Sequence, residues 1–302
     1  MNISGLFSKP ELVWRPGFVW QRLTRRQPPA GASVDFKLPW NLPLRITPSE
    51  TVGRHIWTFG VFDIAVCELL WRLCDPGESA LDVGANLGQM TGLLARRVGR
   101  LGEVTAFEPH PEINARLRQQ VAGWRRDFPG LGKITTAECA LSNLDGTGTL
   151  YVPSCFAENN GLSTIAAPSA GAIGCPIEFR RLDRFLPAGK QVGVMKLDVE
   201  GAELSVLEGA DELLARKGIR DLVFEDHDPF PSQPAQLLER HGYTVFSIRL
   251  NLFGPIILPG RESCRALRPW DSPSFLATTE PERAIRRLTR RGWHCLRPGS
   301  EI

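Results

Sequence analysis

The chain of 302 residues is expected to fold as an α/β body, a doubly wound and mostly parallel sheet with helices on both faces and N- and C-terminal extensions. Three observations predict this. Short apolar runs of strand length alternate with amphipathic runs of about ten residues or more between positions 79 and 248. The first strand ends in a glycine-bearing turn that opens directly into a helix, and the next ends in a carboxylate. Composition is that of an ordinary globular protein, 42% hydrophobic and 23% charged, without an internal repeat or low-complexity tract.

Taken in order, residues 1–50 are rich in Pro, Trp and Arg and show no sustained period, which predicts an irregular arm. Residues 62–73 (FDIAVCELLWRL) repeat apolar side chains at helical spacing until Asp75-Pro76-Gly77 stops them. Then follow strand 79–83 (SALDV), helix 88–98, strand 103–107 (EVTAF), helix 111–124, and strands 134–141 and 148–152. The segment 153–176 is polar and rich in Gly, Ser and Asn, and is expected to be a long loop of the lid or binding kind. Strand 192–197 (VGVMKL) reads as fully buried. After it come helix 202–217, strand 221–225, helix 234–241, strand 243–248, a last strand at 274–277, and a basic helix. The expected organisation is an arm over 1–55, the main domain over 56–260, and a C-terminal extension with a basic amphipathic helix over 261–302.

Net charge is +3, too near neutral to imply nucleic acid. Arginines do cluster at both ends: Arg15, Arg22, Arg25 and Arg26, then Arg283, Arg286, Arg287, Arg290, Arg291 and Arg297. Such clusters can favour phosphates or an anionic membrane surface, although solvated helix faces explain them more simply. The seven cysteines form no CxxC pair and match no zinc spacing, which suits a reducing compartment. No signal-peptide pattern and no apolar run near ~18 residues is present, so a cytoplasmic protein is expected.

The turn after the first strand reads Asp82-Val83-Gly84-Ala85-Asn86-Leu87-Gly88. Glycines there let a ligand approach the backbone, and the helix that follows offers free N–H groups. Glu108 ends the second strand twenty residues after Gly88, the offset of a carboxylate that holds ribose hydroxyls. The middle glycine of a dinucleotide fingerprint is replaced by Asn86, and the Asp82 carboxylate would repel a pyrophosphate while attracting an ammonium. A cofactor with a cationic amino-acid end and a ribose fits this pattern, and S-adenosylmethionine is such a molecule. The competing readings are a nicotinamide-dependent oxidoreductase on a similar sheet and a non-catalytic cofactor-fold binding module.

The runs LDVGANLGQMT (81–91), AFEPHPE (106–112) and VMKLDVEGAELSVLEGA (194–210) resemble the FkbM family of methyltransferases over roughly residues 60–250. The resemblance implies a class I methyltransferase (Rossmann-like) fold and methyl transfer to a hydroxyl oxygen of a sugar, glycan or polyketide-like natural product. It implies that Asp82, Gly84, Ala85, Asn86 and Gly88 form the methionine-side turn. It also implies that Glu108 with Pro109 holds the ribose and that Ala140, Leu141 and Ser142 lie near the adenine. The expected partner is a small-molecule or glycan hydroxyl acceptor, with self-association left open and neither nucleic acid nor a membrane span expected.

Period-two alternation puts Lys196, Asp198 and Glu200 on one side at the carboxyl end of the fourth strand, where the cleft must lie. Asp198 and Glu200 are candidates for contacting the cofactor ammonium, acting as base or holding a divalent ion; they are too few to assign a metal. Glu203, one turn into the next helix, reads as a capping residue. Glu225 and His227 share a face at the end of the fifth strand and could form a base with its orienter. Asn159, Asn160, Ser163 and Thr164 suit a polyhydroxylated acceptor from the long loop, and His55 with Trp57 could close the pocket.

Overall fold

The computed structural model describes residues 9–29, 31–152, 173–228, 230–260 and 274–297. Helices α1 (Pro10–Val13) and α2 (Pro16–Thr24) both begin with proline, whose missing N–H costs nothing in a first turn. Strands β1 (Val34–Lys37) and β2 (Pro43–Ile46) pair antiparallel, so the N-terminal arm is more regular than its composition suggests. Helix α3 (Thr51–Phe59) stops on left-handed Gly60, and Asp63 caps α4 (Ile64–Leu73) by accepting the Val66 N–H at 3.1 Å.

The alternation then unfolds as β3 (Ser79–Val83), α5 (Gln89–Val98), β4 (Glu103–Phe107), α6 (Pro111–Asp127) and β5 (Lys133–Ala137). A small three-stranded sheet follows, made of β6 (Ala140–Leu141), β7 (Gly146–Val152) and β8 (Ile173–Arg180). Short helix α7 (Leu182–Phe185) leads to β9 (Val192–Leu197), α8 (Glu203–Glu208), α9 (Asp211–Ala215) and β10 (Ile219–Glu225). Helix α10 (Gln233–Arg240), β11 (Thr244–Asn251), β12 (Gly254–Pro259), β13 (Ser274–Thr278) and α11 (Pro281–Leu288) follow, and a 3-10 turn over His294–Leu296 comes last in the described chain.

Eight strands form the main sheet in the order β12-β11-β13-β10-β9-β3-β4-β5. From β5 to β10 neighbouring strands run parallel; β13 is antiparallel to both β10 and β11 and lies between them. The order reverses between β3 and β9, which marks the switch point where ligands of open parallel sheets bind. Asp82 faces Lys196 and Val83 faces Leu197 across that pair. Two apolar cores cover the sheet. One packs α4, α5 and α6 against Ala80, Val104 and Val194; the other packs α8, α9 and α10 against Leu81, Met195 and Leu222.

Three expectations need correction. The expected strand 134–141 is two strands, interrupted at Glu138 and Cys139, where the chain leaves the main sheet for the small one. The expected helix 202–217 breaks at Gly209, where a Cβ would overlap the Ser142 carbonyl, so only glycine lets the two segments meet. Residues 173–176, expected in the long loop, start β8 because β7 supplies a full antiparallel partner.

Much of the C-terminal basicity is spent internally. Arg283 bonds Asp75 at 2.7 Å and Asp221 at 2.8 Å, and Arg287 bonds Asp75 at 2.6 Å. A buried ion pair, Arg72 with Glu68 at 2.6 Å, latches the segment after α11 onto α4. Arg72 donates to the carbonyls of Arg287, Leu288, Arg290 and Gly292, while Glu68 accepts the amides of His294 and Cys295.

Candidate functional site

The carboxyl ends of β3, β4, β9 and β10 surround a cavity of about 440 Å³ at the switch point. That size suits a cofactor with room for an acceptor. Consecutive residues at the strand ends reach it, Lys196 to Val199 from β9 and Val223 to Glu225 from β10 among them. Val83, Phe107, Leu197 and Phe224 line it, as do Gly84, Ala85, Asn86 and Leu87 of the first turn. Gly84 adopts φ +78°, and a Cβ there would overlap the carbonyl of Asp198, so the β3 and β9 loops touch backbone to backbone. Asn86 is also left-handed, at φ +48°; its backbone amide donates to Glu108 Oε2 at 2.9 Å, and its buried side-chain oxygen has no partner among the described residues.

Glu108 lines the cavity with Pro109 and accepts the His110 amide through its other oxygen at 3.0 Å. Burial raises its pKa to about 7, against the opposing pull of those two amide donors. Ala140 and Leu141 line the cavity and Ser142 does not; the Ser142 carbonyl is turned toward Gly209. Gly88 lies behind the wall as the left-handed N-cap of α5, tight against Leu117 and Trp124.

Asp82 does not reach the cavity. It is fully buried on the opposite face of β3 from Val83, with its carboxylate accepting the Thr91 hydroxyl at 2.5 Å. Lys196 Nζ lies 3.8 Å from it, 3.2 Å from Asp198, and donates to the Gly84 carbonyl at 2.7 Å. The expected salt link between Asp82 and a ligand ammonium is therefore already taken by a lysine of the protein. Asp198 is the carboxylate beside the turn that lines the cavity.

Glu200 and Glu225 also line it, with His227 at the rim. Burial, then the charges of Asp198 and Glu203, raise Glu200 to about 7. Burial, then the charges of Asp198 and Asp63, raise Glu225 to about 8. His227 Nε2 is 3.3 Å from Glu225 Oε1, but the imidazole is 69% exposed whereas Glu225 is 28% exposed. The buried member of the pair is the glutamate. Glu203 accepts the amides of Val199 and Gly201 at 3.0 and 3.3 Å, which fixes the turn carrying Glu200, itself at φ +53°. Glu203 is thus the first residue of α8 rather than one turn inside it, and it ties down the loop before the helix instead of capping the helix's own amides.

His55 points elsewhere. It packs tilted against Phe59 and edge-on against Phe62, and burial drops its pKa to about 4. Trp57 is held under the Arg25 guanidinium, 3.6 Å from the ring centroid. Asn159, Asn160, Ser163 and Thr164 lie outside the described residues. The cavity also uses residues that the motifs did not indicate: Thr51 and Val52 of α3, Phe62, Asp63 and Val66 around the start of α4, and Ser274 of β13. An Asp directly before the apolar run 64–73 was a readable helix-start signal, but nothing in it tells that the helix start overhangs the cleft.

A sheet that reverses at β3 and β9, with antiparallel β13 inserted between β10 and β11 and a carboxylate-rich cleft over the reversal, has the class I methyltransferase (Rossmann-like) architecture. Residues 82–245, more than half of the chain, match the family described as Methyltransferase FkbM domain, and the chain belongs to that family. Methyl transfer is thereby its class of reaction. "Methyltransferase sdnD" of Sordaria araneosa is 28% identical over 227 residues, 65% of this chain and 83% of that protein. "AMB antimetabolite synthetase AmbE" of Pseudomonas aeruginosa is 28% identical over 236 residues, 64% of this chain but 11% of that much longer protein. Among solved structures, the methyltransferase FkbM of Methylobacillus flagellatus is 16% identical with a TM-score of 0.39, covering 66% of this chain and 43% of that one.

Proposed function

We propose that the chain is a cytoplasmic S-adenosylmethionine-dependent O-methyltransferase acting on a hydroxyl of a sugar, glycan or polyketide-like natural product. The observation that carries the cofactor is the cavity over the switch point, floored by a left-handed turn and walled by Glu108. The residues fit such a group. Gly84 exposes backbone, Asn86 offers a buried oxygen with no donor among the described residues, and Glu108 keeps lone pairs beyond its two amide bonds. In this reading Glu108 holds the ribose, Ala140 and Leu141 flank the base, and Asp198 takes the ammonium that Asp82 cannot reach. A nicotinamide dinucleotide fits worse, because its pyrophosphate would face Glu108, Asp198 and Glu200 in one cavity.

When bound, the cofactor supplies an activated methyl group on a sulfonium. The chain's own task is to align a hydroxyl, exclude water and accept its proton. We assign the proton to Glu225, whose carboxylate, once ionised, is a stronger base than an ordinary glutamate. His227 then carries it to solvent across the 3.3 Å contact. The methyltransferase unit is taken as residues 56–260, but Thr51, Val52 and Ser274 show that both flanking segments contribute to the wall.

Calorimetry with S-adenosylmethionine, S-adenosylhomocysteine and NAD tests the reading. The first two are expected to bind in the micromolar range and NAD not at all; binding of NAD alone would overturn it. Incubation with labelled cofactor and cell extract, followed by mass spectrometry, then identifies the acceptor and the methylated atom.

A further inference from the structure

Helix α2 carries an outward face with no role in the cleft. Trp20 and Leu23, adjacent on the helix at i and i+3, are 70% and 75% exposed, while Phe18 on the opposite side is buried. Arg22 and Arg26 flank them. From Leu12 to Val34 the sequence contains four arginines and no acidic residue. The helix does not stand alone. Just before it, Trp14 donates to the Leu252 carbonyl at 2.7 Å and lies 4.6 Å beneath the Arg297 guanidinium. That contact joins the N-terminal helices to the tip of the β11–β12 hairpin and to the C-terminal segment. Phe253, at the hairpin tip, is 60% exposed, and Val13 is also exposed. Arg290, Arg291 and Arg297 are exposed on the C-terminal segment, whereas Arg283 and Arg287 are consumed by Asp75 and Asp221.

Protruding Trp and Leu side chains among arginines, on a short helix, match the pattern of segments that lie in a headgroup layer. Surface cations are drawn to an anionic leaflet, and the apolar side chains add burial in the acyl boundary. Nucleic acid would satisfy the arginines, but Leu23 and Val13 have no ring on which a base can stack. A lipid surface uses both kinds of residue.

We propose that this face docks on an anionic phospholipid bilayer, with α2 lying in the interface plane. Helix α2 is also packed beside α3 through Arg22 over Phe59 and Arg25 over Trp57, and α3 supplies Thr51 and Val52 to the cleft. Docking would thus place the cleft wall near the membrane surface.

The test is co-sedimentation of the full chain with vesicles of phosphatidylcholine alone and of phosphatidylcholine with phosphatidylglycerol. The expected result is binding to the anionic vesicles only, weakened as salt rises. The double variant Trp20→Ser/Leu23→Ser should lose at least about tenfold in vesicle affinity. Both positions are exposed, and unchanged thermal unfolding and far-ultraviolet circular dichroism show that the variant is folded. Arg22→Gln/Arg26→Gln should lower binding to the anionic vesicles independently. The proposal is overturned by absence of binding, by equal binding of the Trp20/Leu23 variant, by binding to duplex DNA or RNA but not vesicles, or by a dimer that the variant abolishes while vesicles are ignored. None of these outcomes depends on the methyl acceptor or on cofactor binding.

Discussion

Replacing Glu225 with glutamine should make the protein more stable, and increasingly so as pH rises. Glu225 titrates near pH 4.5 when unfolded and at about 8 in the folded chain, because burial and then Asp198 and Asp63 disfavour its charge. The folded state therefore binds this proton more tightly than the unfolded state. That advantage is whole below pH 4.5, shrinks as pH rises, and is gone above pH 8. Each pH unit in the window costs about 1.4 kcal/mol, so holding the proton that the unfolded chain has already released costs the fold about 3 kcal/mol at pH 7, and above pH 8, where Glu225 is ionised in the fold, the cost levels off at about 4–5 kcal/mol. Glutamine never charges and escapes this cost. Urea unfolding followed by circular dichroism at pH 5, 7 and 9 measures the gap between the two proteins. A gap near zero at pH 5 that opens by several kcal/mol toward pH 9 is expected. A gap that stays constant with pH would refute the assignment of that proton to Glu225. The same substitution should leave binding of S-adenosylhomocysteine intact and lower turnover about 10²- to 10⁴-fold, the usual worth of a positioned base. Stability and activity would then move in opposite directions at one residue, as expected of a charge kept for its chemistry.

Two further outcomes follow from the geometry. Gly84→Ala should abolish binding of S-adenosylhomocysteine in calorimetry, because a Cβ at φ +78° would overlap the Asp198 carbonyl and force apart the two loops that form the cavity floor; binding within about twofold of the parent would contradict that close approach. Arg72→Met should destabilise the fold by about 3–5 kcal/mol, since it strands a fully buried Glu68 and removes donors from four carbonyls. Hydrogen exchange should show the amides of 284–296 losing protection first, and unchanged protection there would mean that the ion pair is not the latch.

The sheet was legible because β-strands and helices of a doubly wound fold each leave a periodic trace, and the traces came in alternation. Strands β3, β4 and β9 were read to the residue, since each is a short apolar run bounded by a glycine turn, a carboxylate or a proline-rich loop. The N-terminal hairpin left no such trace: four-residue strands hold too few alternations, and Pro43 and Trp40 obscure them. Glu108, Asp198 and Glu225 could be placed at strand ends by counting. Asp63 and Val52 could not, because their approach to the cleft depends on how α3 and α4 pack over the sheet, which no local pattern encodes. Asp82 illustrates the reverse case. Its place beside the turn is legible, but it lies one step below the strand end, opposite Lys196, and spacing does not tell that Thr91 and that lysine already take its carboxylate.

The correction at Asp82 also explains Lys196. A buried lysine is costly unless paired, and here burial pulls its pKa down while Asp198 and Asp82 outweigh that and hold the ammonium charged. One nitrogen thus links β3 to β9 through Asp82 below, the Gly84 carbonyl at the turn and Asp198 above. The link acts where the sheet has reversed direction and no connecting helix ties the two strands directly. It fixes the Asp198 backbone close enough to Gly84 that only glycine fits. It also leaves the Asp198 carboxylate partly exposed to the cavity, 3.2 Å from the lysine beneath. Asp82 is thus a counter-charge for the lysine that positions the carboxylate facing the ligand. The acid on the first strand, the glycine after it and the lysine two residues before Asp198 form one electrostatic unit, and its exposed end is the one available for binding.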